Sequence, residues 1–402
     1  MTADAVLYDL DSLYLEIDPR QKAMAWQQSQ VLSTANSRWR AYINQLGLTA
    51  LTTWLKAEGL KAKPALAKAL QPTVWELMTG SAITCQGARL VVLPTESLDS
   101  DELRVPQTWV DIPSWMGDYY VSLQVNPDEG WVRCAGFVTH QALKESGDYD
   151  WRDRTYSLDE SDVTTDLSVL HIAQDLYPEA IKRGTVAALP ELSIDQAHKL
   201  IERLAKPTLL EPRLAVGFEQ WGALMAHGGW RRQLAERRWG KTTLPVKQWL
   251  QAGAQQLADG IAQQLGWQQM AYQPAMAMAR DAQVPQDAVK QQVLCRDLDV
   301  EGEVYTLQIM PLAMTDSGAD SGADSGAGQA WRFELTKAMG SVIPGVALTL
   351  LTEDLQPFEN NQAVATEAVD SLYVDVALAD KEGLVWQVEP VPSQYDPEIL
   401  RF

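Results

Sequence analysis

Cysteine is scarce in this 402-residue chain: Cys85, Cys134 and Cys295 stand far apart, and none belongs to a C-x-x-C pair. That usage argues against a zinc clip or a disulfide framework and predicts a reducing, cytoplasmic setting. Long apolar runs are missing too. No stretch of about 18 apolar residues occurs, so no membrane span is expected. The first residues, MTADAVLYDLDSLYLEIDP, are acidic, whereas a secretory leader starts basic and continues apolar. Phenylalanine is rare as well, with 5 Phe against 15 Trp. Trp brings a large apolar body and one N–H that needs an acceptor, so this bias predicts half-buried seams between elements. Catalytic signatures are also lacking: there is no G-x-S-x-G elbow, H-E-x-x-H pair, Walker A loop or Rossmann glycine pattern in a suitable context. Neither a cofactor nor a metal is implied.

What the chain does have is acidity, sharply segregated. The formal charge is −20. Residues 94–195 hold 20 acids and 7 bases, and residues 287–402 hold 20 acids and 6 bases. Residues 199–247 reverse the sign with 4 acids and 10 bases. A basic block between acidic stretches can meet an acidic surface of the same protein, an acidic partner or a polyanion. Nucleic acid is disfavoured, because phosphate binding relies on a clearly basic face.

Apolar spacing divides the chain into segments. Residues 1–86 read as a helical N-terminal segment, with one helix expected over 20–57 and shorter pieces at 65–70 and 73–78. Residues 87–160 read as a small antiparallel, barrel-like β-domain built from ARLVVLP, TWVDIP, YYVSLQV, WVRCAGF and WRDRTYSL. Residues 161–286 return to helical spacing, with a capping box at Ser193 and Gln196. The longest helical signal there is VKQWLQAGAQQLADGIAQQLGWQQM, followed by a linker. Residues 287–402 read as an antiparallel β-sandwich of six or seven strands. Its DSGADSGADSGAG repeat lacks calcium-loop spacing and fits a flexible insertion at 315–329. The fold class expected is α+β.

The sharpest local feature is HGGWRRQLAERRWG, residues 227–240. Trp230, Arg231, Arg232, Arg237, Arg238, Trp239 and Lys241 form the candidate contact patch. On a helix, however, these arginines spread around the circumference instead of lining one stripe. An intramolecular role, with guanidinium groups stacked on Trp or paired with carboxylates, therefore stands beside partner contact. For catalysis, His140 with Asp118 and Asp128 is the first set to test as a hydrolase-type site between the β-domain and the helices. A histidine satisfied by backbone hydrogen bonds at a strand end is the simpler account.

VPQTWVDIPSWMGDYYVSLQVNPDEGWVRCAGFVTHQALK, PRLAVGFEQWGALM, WRFELTKAMGSVIPGVALTLLTED and VWQVEPVPSQYDPEILRF together resemble a cyanobacterial family, domain of unknown function 1822. The resemblance spans nearly the whole chain and implies a cyanobacterial, cytosolic, regulatory protein. It carries no catalytic residue. The expected function is a non-enzymatic interaction or scaffold protein, a regulatory adaptor holding a protein partner on sandwich edges and Trp-lined seams. A hydrolase-type enzyme and polyanion binding through 231–238 are the alternatives, and homo-oligomerisation stays open.

Overall fold

A computed structural model describes residues 12–97, 102–167, 183–241, 245–251, 266–271, 292–312 and 328–402. The chain forms two compact units, 1–241 and 242–402. The helical signal at 168–182, most of the helix expected after Gln251, the linker from 272 and the DSGA repeat lie outside the described residues.

The first unit opens with β1 (Leu13–Glu16), α1 (Pro19–Ser29) and α2 (Ala35–Ala57). The single helix expected over 20–57 is two helices. Thr34 ends the continuity, because its side chain caps Ser37 N–H while the Ser37 hydroxyl returns to the Thr34 backbone. Next come β2 (Ala62–Pro64), α3 (Gln71–Trp75), β3 (Ser81–Cys85), β4 (Ala88–Thr95) and β5 (Glu102–Pro106). The stretch TWVDIP, expected as a strand, is instead part of helix α4 (Gln107–Asp111). Pro106 fixes its entry and Gln107 bonds Asp111 one turn on, while Ile112, before Pro113, is already extended. The unit continues through β6 (Tyr119–Asn126), β7 (Trp131–Thr139), α5 (His140–Ser146), β8 (Asp148–Asp150) and β9 (Thr155–Asp159). It ends with α6 (Ile194–Leu204), α7 (Phe218–Ala226) and α8 (Gly228–Arg238). Ser193 and Gln196 form the expected capping box on α6.

Six strands make one sheet in the order β1-β7-β6-β4-β3-β2. It curls as a half-barrel, in keeping with the barrel-like domain expected, but it is mixed instead of antiparallel: β4 and β6 run parallel, Leu90 beside Tyr119. The expected boundary at 86/87 falls between paired strands, since Cys85 faces Ala88 across the β3–β4 turn. Helix α2 covers one face of the sheet. Gly47 lets it approach closely, as a Cβ there would sit 3.2 Å from Pro94 and 3.3 Å from Leu123. Leu46, Leu51 and Leu55 of α2 are buried, as are Ile83, Leu90, Val92, Leu123 and Val132 of the sheet. A separate sheet, β5-β9-β8, completes the unit's β structure.

The second unit contains α9 (Val246–Gln251) and two antiparallel sheets in a loose sandwich. One has the order β10-β11-β12-β13-β16, from β10 (Trp267–Ala271), β11 (Gln292–Val300), β12 (Glu303–Pro311), β13 (Gln329–Lys337) and β16 (Ser371–Leu378). The other has the order β15-β14-β17-β18, from β14 (Ala347–Thr352), β15 (Gln362–Val364), β17 (Gly383–Glu389) and β18 (Ile399–Arg401). The residues WQQM, expected to end a helix, start a strand. Gly266 at φ +85 breaks helical geometry, and Trp267 then pairs with Arg296 across the β10–β11 ladder. Leu307, Ile309, Phe333 and Leu335 of the first sheet are buried, as are Leu348, Leu350, Val385 and Trp386 of the second.

One glycine sets the course of β7. The register slips between Ser122 and Leu123, so Gly136 pairs with Ser122 while Cys134 pairs with Leu123. Gly136 has φ +142, and a Cβ would lie 2.5 Å from a Val163 methyl and 2.8 Å from the Thr164 carbonyl oxygen. That close approach lets Phe137 exchange backbone bonds of 2.8 and 3.0 Å with Thr164. Gly136→Ala is expected to destabilise the chain by about 2–4 kcal/mol, through strain plus the clash. Urea unfolding checks it, and an unchanged midpoint would mean the segment at 163–164 yields freely.

Candidate functional site

The expected contact patch is divided by burial along α8. Trp230, Arg231, Arg232 and Arg238 are buried, Trp239 and Lys241 are half-buried, and Arg237 is exposed. Each buried guanidinium has an internal task. Arg231 donates to the Met225 carbonyl at 2.7 Å, at the end of α7, and lies 5.1 Å over the Trp115 ring. Arg232 pairs with Glu236 one turn along the helix at 2.7 Å. Arg238 meets Glu76 at 2.8 Å and donates to the carbonyls of Leu204, Lys206 and Leu209, satisfying acceptors left over where α6 ends.

Glu76 is the centre of this arrangement. Besides Arg238 it accepts the Trp239 indole N–H at 2.9 Å, the Ser33 backbone N–H at 2.9 Å and the Ser33 hydroxyl. One carboxylate thus ties the α1–α2 turn, the end of α3 and the end of α8 together. His227 starts α8: its Nδ1 accepts the Trp230 N–H and its ring stacks on Trp230 at 4.0 Å.

The three residues of the hydrolase reading are not all brought together: Asp128 stands apart. Asp118 and His140 meet at one end of the β6–β7 ladder, where His140 N–H donates to the Asp118 carbonyl at 3.1 Å. Asp128 occupies the turn at the other end, beyond the 8 residues of β6 and so roughly 25 Å along the strands. Asp118 is engaged by Arg183 through two bonds, 2.9 and 3.1 Å, and by the Arg89 N–H at 2.7 Å. His140 is fully buried. Its Nδ1 accepts the Gly184 N–H at 2.9 Å, which leaves Nε2–H to donate to the Val110 carbonyl at 2.9 Å. Both ring nitrogens are therefore used by the backbone, the simpler of the two accounts expected.

A second polar cluster left no trace in sequence spacing. Lys144 binds Asp111 at 2.9 Å and the Tyr156 hydroxyl at 2.8 Å, while that hydroxyl donates to Asp111 at 2.9 Å. Burial raises the Tyr156 pKa; burial would lower that of Lys144, but the hydrogen bonds its ammonium donates to Tyr156 and Asp111 outweigh it and raise the value. Phenol and ammonium both stay protonated, which suits a closed tripod rather than a base. Burial likewise pushes the Cys134 thiol up to about 12 and the Cys295 thiol to about 11, so neither supplies a nucleophile near neutrality. Among the described residues, no group of three or more His, Cys, Asp and Glu could hold a metal ion.

Among the described residues, two features are open to a ligand. A cleft of about 620 Å³ is lined by Thr79, Thr95, Ser97, Ser122, Glu102 and Arg104. Its charges are already matched, since Arg104 pairs with Glu102 at 3.2 Å and Asp153 at 2.8 Å. The other feature is aromatic and exposed. Trp26 of α1 and Trp39 of α2 are 48% and 40% exposed, and Met24 and Val31 on the same hairpin are 52% and 43% exposed. Trp26, Trp39 and the buried Tyr42 touch one another, with ring centres 5.3 to 6.3 Å apart. Glu96, just past β4, accepts the Trp39 indole N–H at 2.6 Å. Only their helical spacing was visible in the sequence.

What the geometry defines is a mixed α+β chain with a welded interior and an exposed aromatic hairpin. Residues 15–401 match the family described as "Protein of unknown function (DUF1822)", and the chain belongs to that family. No curated protein and no solved structure matches it. Among the described residues no helix is long and apolar enough to cross a membrane.

Two expectations follow from the buried groups. Glu76→Ala leaves the Arg238 guanidinium buried without its counter-charge and should cost about 3–5 kcal/mol. Arg237→Glu, on the exposed side of the same helix, should change stability by no more than about 0.5 kcal/mol in urea unfolding. Equal effects would contradict the division of the patch. For His140, burial lowers the pKa below its unfolded value, against a weaker raising effect of the Val110 carbonyl. Protonation therefore favours the unfolded chain. The stability His140 contributes is complete above the ordinary imidazole value of about 6.5 and is lost as pH falls through the lowered folded value. His140→Gln keeps a donor for Val110 and should flatten that part of the stability–pH curve; a parallel curve would assign the slope to other groups.

Proposed function

We propose that this chain is a non-enzymatic interaction or scaffold protein, a regulatory adaptor of the cyanobacterial cytoplasm, which holds a protein partner on the α1–α2 hairpin. The observation that carries this reading is the exposure of Trp26 and Trp39 beside Met24 and Val31 on one helical hairpin. Exposed aromatic and Met side chains gathered on one element are costly to leave in water and are enriched at protein interfaces. Trp is also the side chain most often found carrying binding energy. The hairpin is braced from beneath, since Glu76 holds Ser33 in its turn. A braced surface loses little conformational freedom when a partner docks.

The hydrolase reading has less behind it. His140 and Asp118 do not line the polar cleft, and their polar groups are committed to the backbone or to Arg183.

The test is recovery of partners by the tagged full chain from a cyanobacterial lysate, beside the variant Trp26→Ser/Trp39→Ser. Each recovered protein is then purified and its affinity for both forms measured. The variant should bind at least about tenfold more weakly, the scale of one hot-spot residue, with its melting temperature nearly unchanged. Equal affinity for both forms would remove the hairpin from the interface. Loss of self-association in sedimentation, instead of loss of a second protein, would make the partner another copy of this chain.

A further inference from the structure

The second unit contains a fully built version of what the α1–α2 hairpin shows in part. There, Glu398 is buried and accepts the indole N–H groups of Trp267 and Trp386, each at 3.0 Å. The two indoles meet edge to face with ring centres 6.3 Å apart. Arg296 completes the group: it donates to the same Glu398 oxygen at 2.7 Å, and its guanidinium lies 6.0 Å from the Trp267 ring centre and 5.3 Å from that of Trp386. Carboxylate, crossed indoles and guanidinium make one unit, in which the cation meets both a counter-charge and two π faces.

On the hairpin the same parts recur without the cation. Trp26 and Trp39 meet edge to face with ring centres 6.3 Å apart, and Glu96 accepts the Trp39 indole N–H at 2.6 Å. Tyr42 adds a third ring, 5.6 Å from Trp26 and 5.3 Å from Trp39. Among the described residues no Lys or Arg is paired with Glu96 or stacked on these three rings. The basic groups of the same hairpin are engaged elsewhere: Lys22 with the Pro127 carbonyl, Arg38 with the Leu32 carbonyl and Arg40 with Glu211. Glu96 is exposed, in contrast to Glu398, so an incoming cation can reach it.

We infer that Trp26, Trp39, Tyr42 and Glu96 form a receptor for an arginine side chain carried on a basic segment of a partner protein. The inference rests on the interaction reading above and names the chemistry of its contact. The choice of guanidinium follows from Arg296, whose planar cation serves a carboxylate and aromatic faces at once, a combination that ammonium matches less well. Charge favours it on two further scales. Asp128 adds negative charge beside Tyr42, whose pKa is raised by burial and by that carboxylate. The formal charge of −20 draws basic segments toward the chain from a distance.

The probe is N-acetyl-arginine N-methylamide, set against N-acetyl-citrulline N-methylamide, which has nearly the same shape and no charge. Binding to the full-length protein is read from the indole N–H resonances of Trp26 and Trp39. The arginine compound should shift both resonances saturably below about 20 mM, and citrulline should bind at least about fivefold more weakly. Glu96→Gln should weaken the arginine compound by at least about threefold and make its affinity less sensitive to salt. Trp26→Leu leaves the Glu96–Trp39 bond intact, removes one π face and should also weaken it, which guards against a folding defect in the first variant. Equal binding of arginine and citrulline, or no shift with either, overturns the inference. Its failure is separable from failure of the interaction reading. A partner lost by Trp26→Ser/Trp39→Ser while the arginine probe shows no preference leaves the interface standing and removes the guanidinium. An arginine-selective response in a chain whose hairpin variant keeps every partner does the reverse.

Discussion

A buried carboxylate must be surrounded by donors, and in the first unit Glu76 imposes that demand on everything near it. Removing a charged oxygen from water costs several kcal/mol unless hydrogen bonds and a counter-charge replace the lost hydration. Ser33, Arg238 and Trp239 meet the requirement from two directions in the sequence, 43 residues before Glu76 and more than 160 after it. Because each donor is fixed by its own helix end or turn, satisfying Glu76 also fixes the hairpin, α3 and α8 relative to one another. Arg238 passes the constraint on to the end of α6 through three carbonyls.

The same demand explains the preference for Trp over Phe. Both fill volume, but only indole brings a donor into an apolar interior. Trp39, Trp131, Trp239, Trp267 and Trp386 all direct their N–H at a carboxylate, while Trp75, Trp109 and Trp221 use carbonyl or hydroxyl oxygens. Phenylalanine at any of these positions would leave an acceptor short of one bond.

Much of this was within reach of the sequence, and the boundary of what was legible is physical. Local signals read true: the Ser193–Gln196 box starts α6, and the strands around 88–94, 119–125 and 131–137 stand where alternation and β-branched residues put them. The spread of Arg231, Arg232 and Arg238 around a helix already spoke against a single recognition stripe. Signals that depend on distant neighbours did not read. TWVDIP has the composition of a strand, and only the prolines at either end and the packing of Trp109 make it helical. WQQM continues a helical period, yet Gly266 and the free edge of β11 turn it into a strand. The parallel β4–β6 pair requires a crossover that spacing alone does not encode. Glu76 was invisible for the same reason, since an isolated Glu after a short helix carries no mark of the arginine that will find it.

Turning its basic block inward has a consequence for the surface. Three of the four arginines of α8 spend their charge on internal acceptors, so they cannot offset the carboxylates outside. The chain as a whole keeps its formal charge of −20, while the α1–α2 hairpin itself carries Arg20, Lys22, Arg38, Arg40 and Lys56 and no carboxylate. A carboxylate that holds an indole N–H has fixed the ring's orientation but still has unused acceptor capacity. In the interior that capacity is taken up by Arg238 or Arg296. At Glu96 it faces solvent. The chemistry that closes the two interiors therefore ends at the hairpin as an incomplete set, because the hairpin's own Lys22, Arg38 and Arg40 are bonded to the Pro127 carbonyl, the Leu32 carbonyl and Glu211.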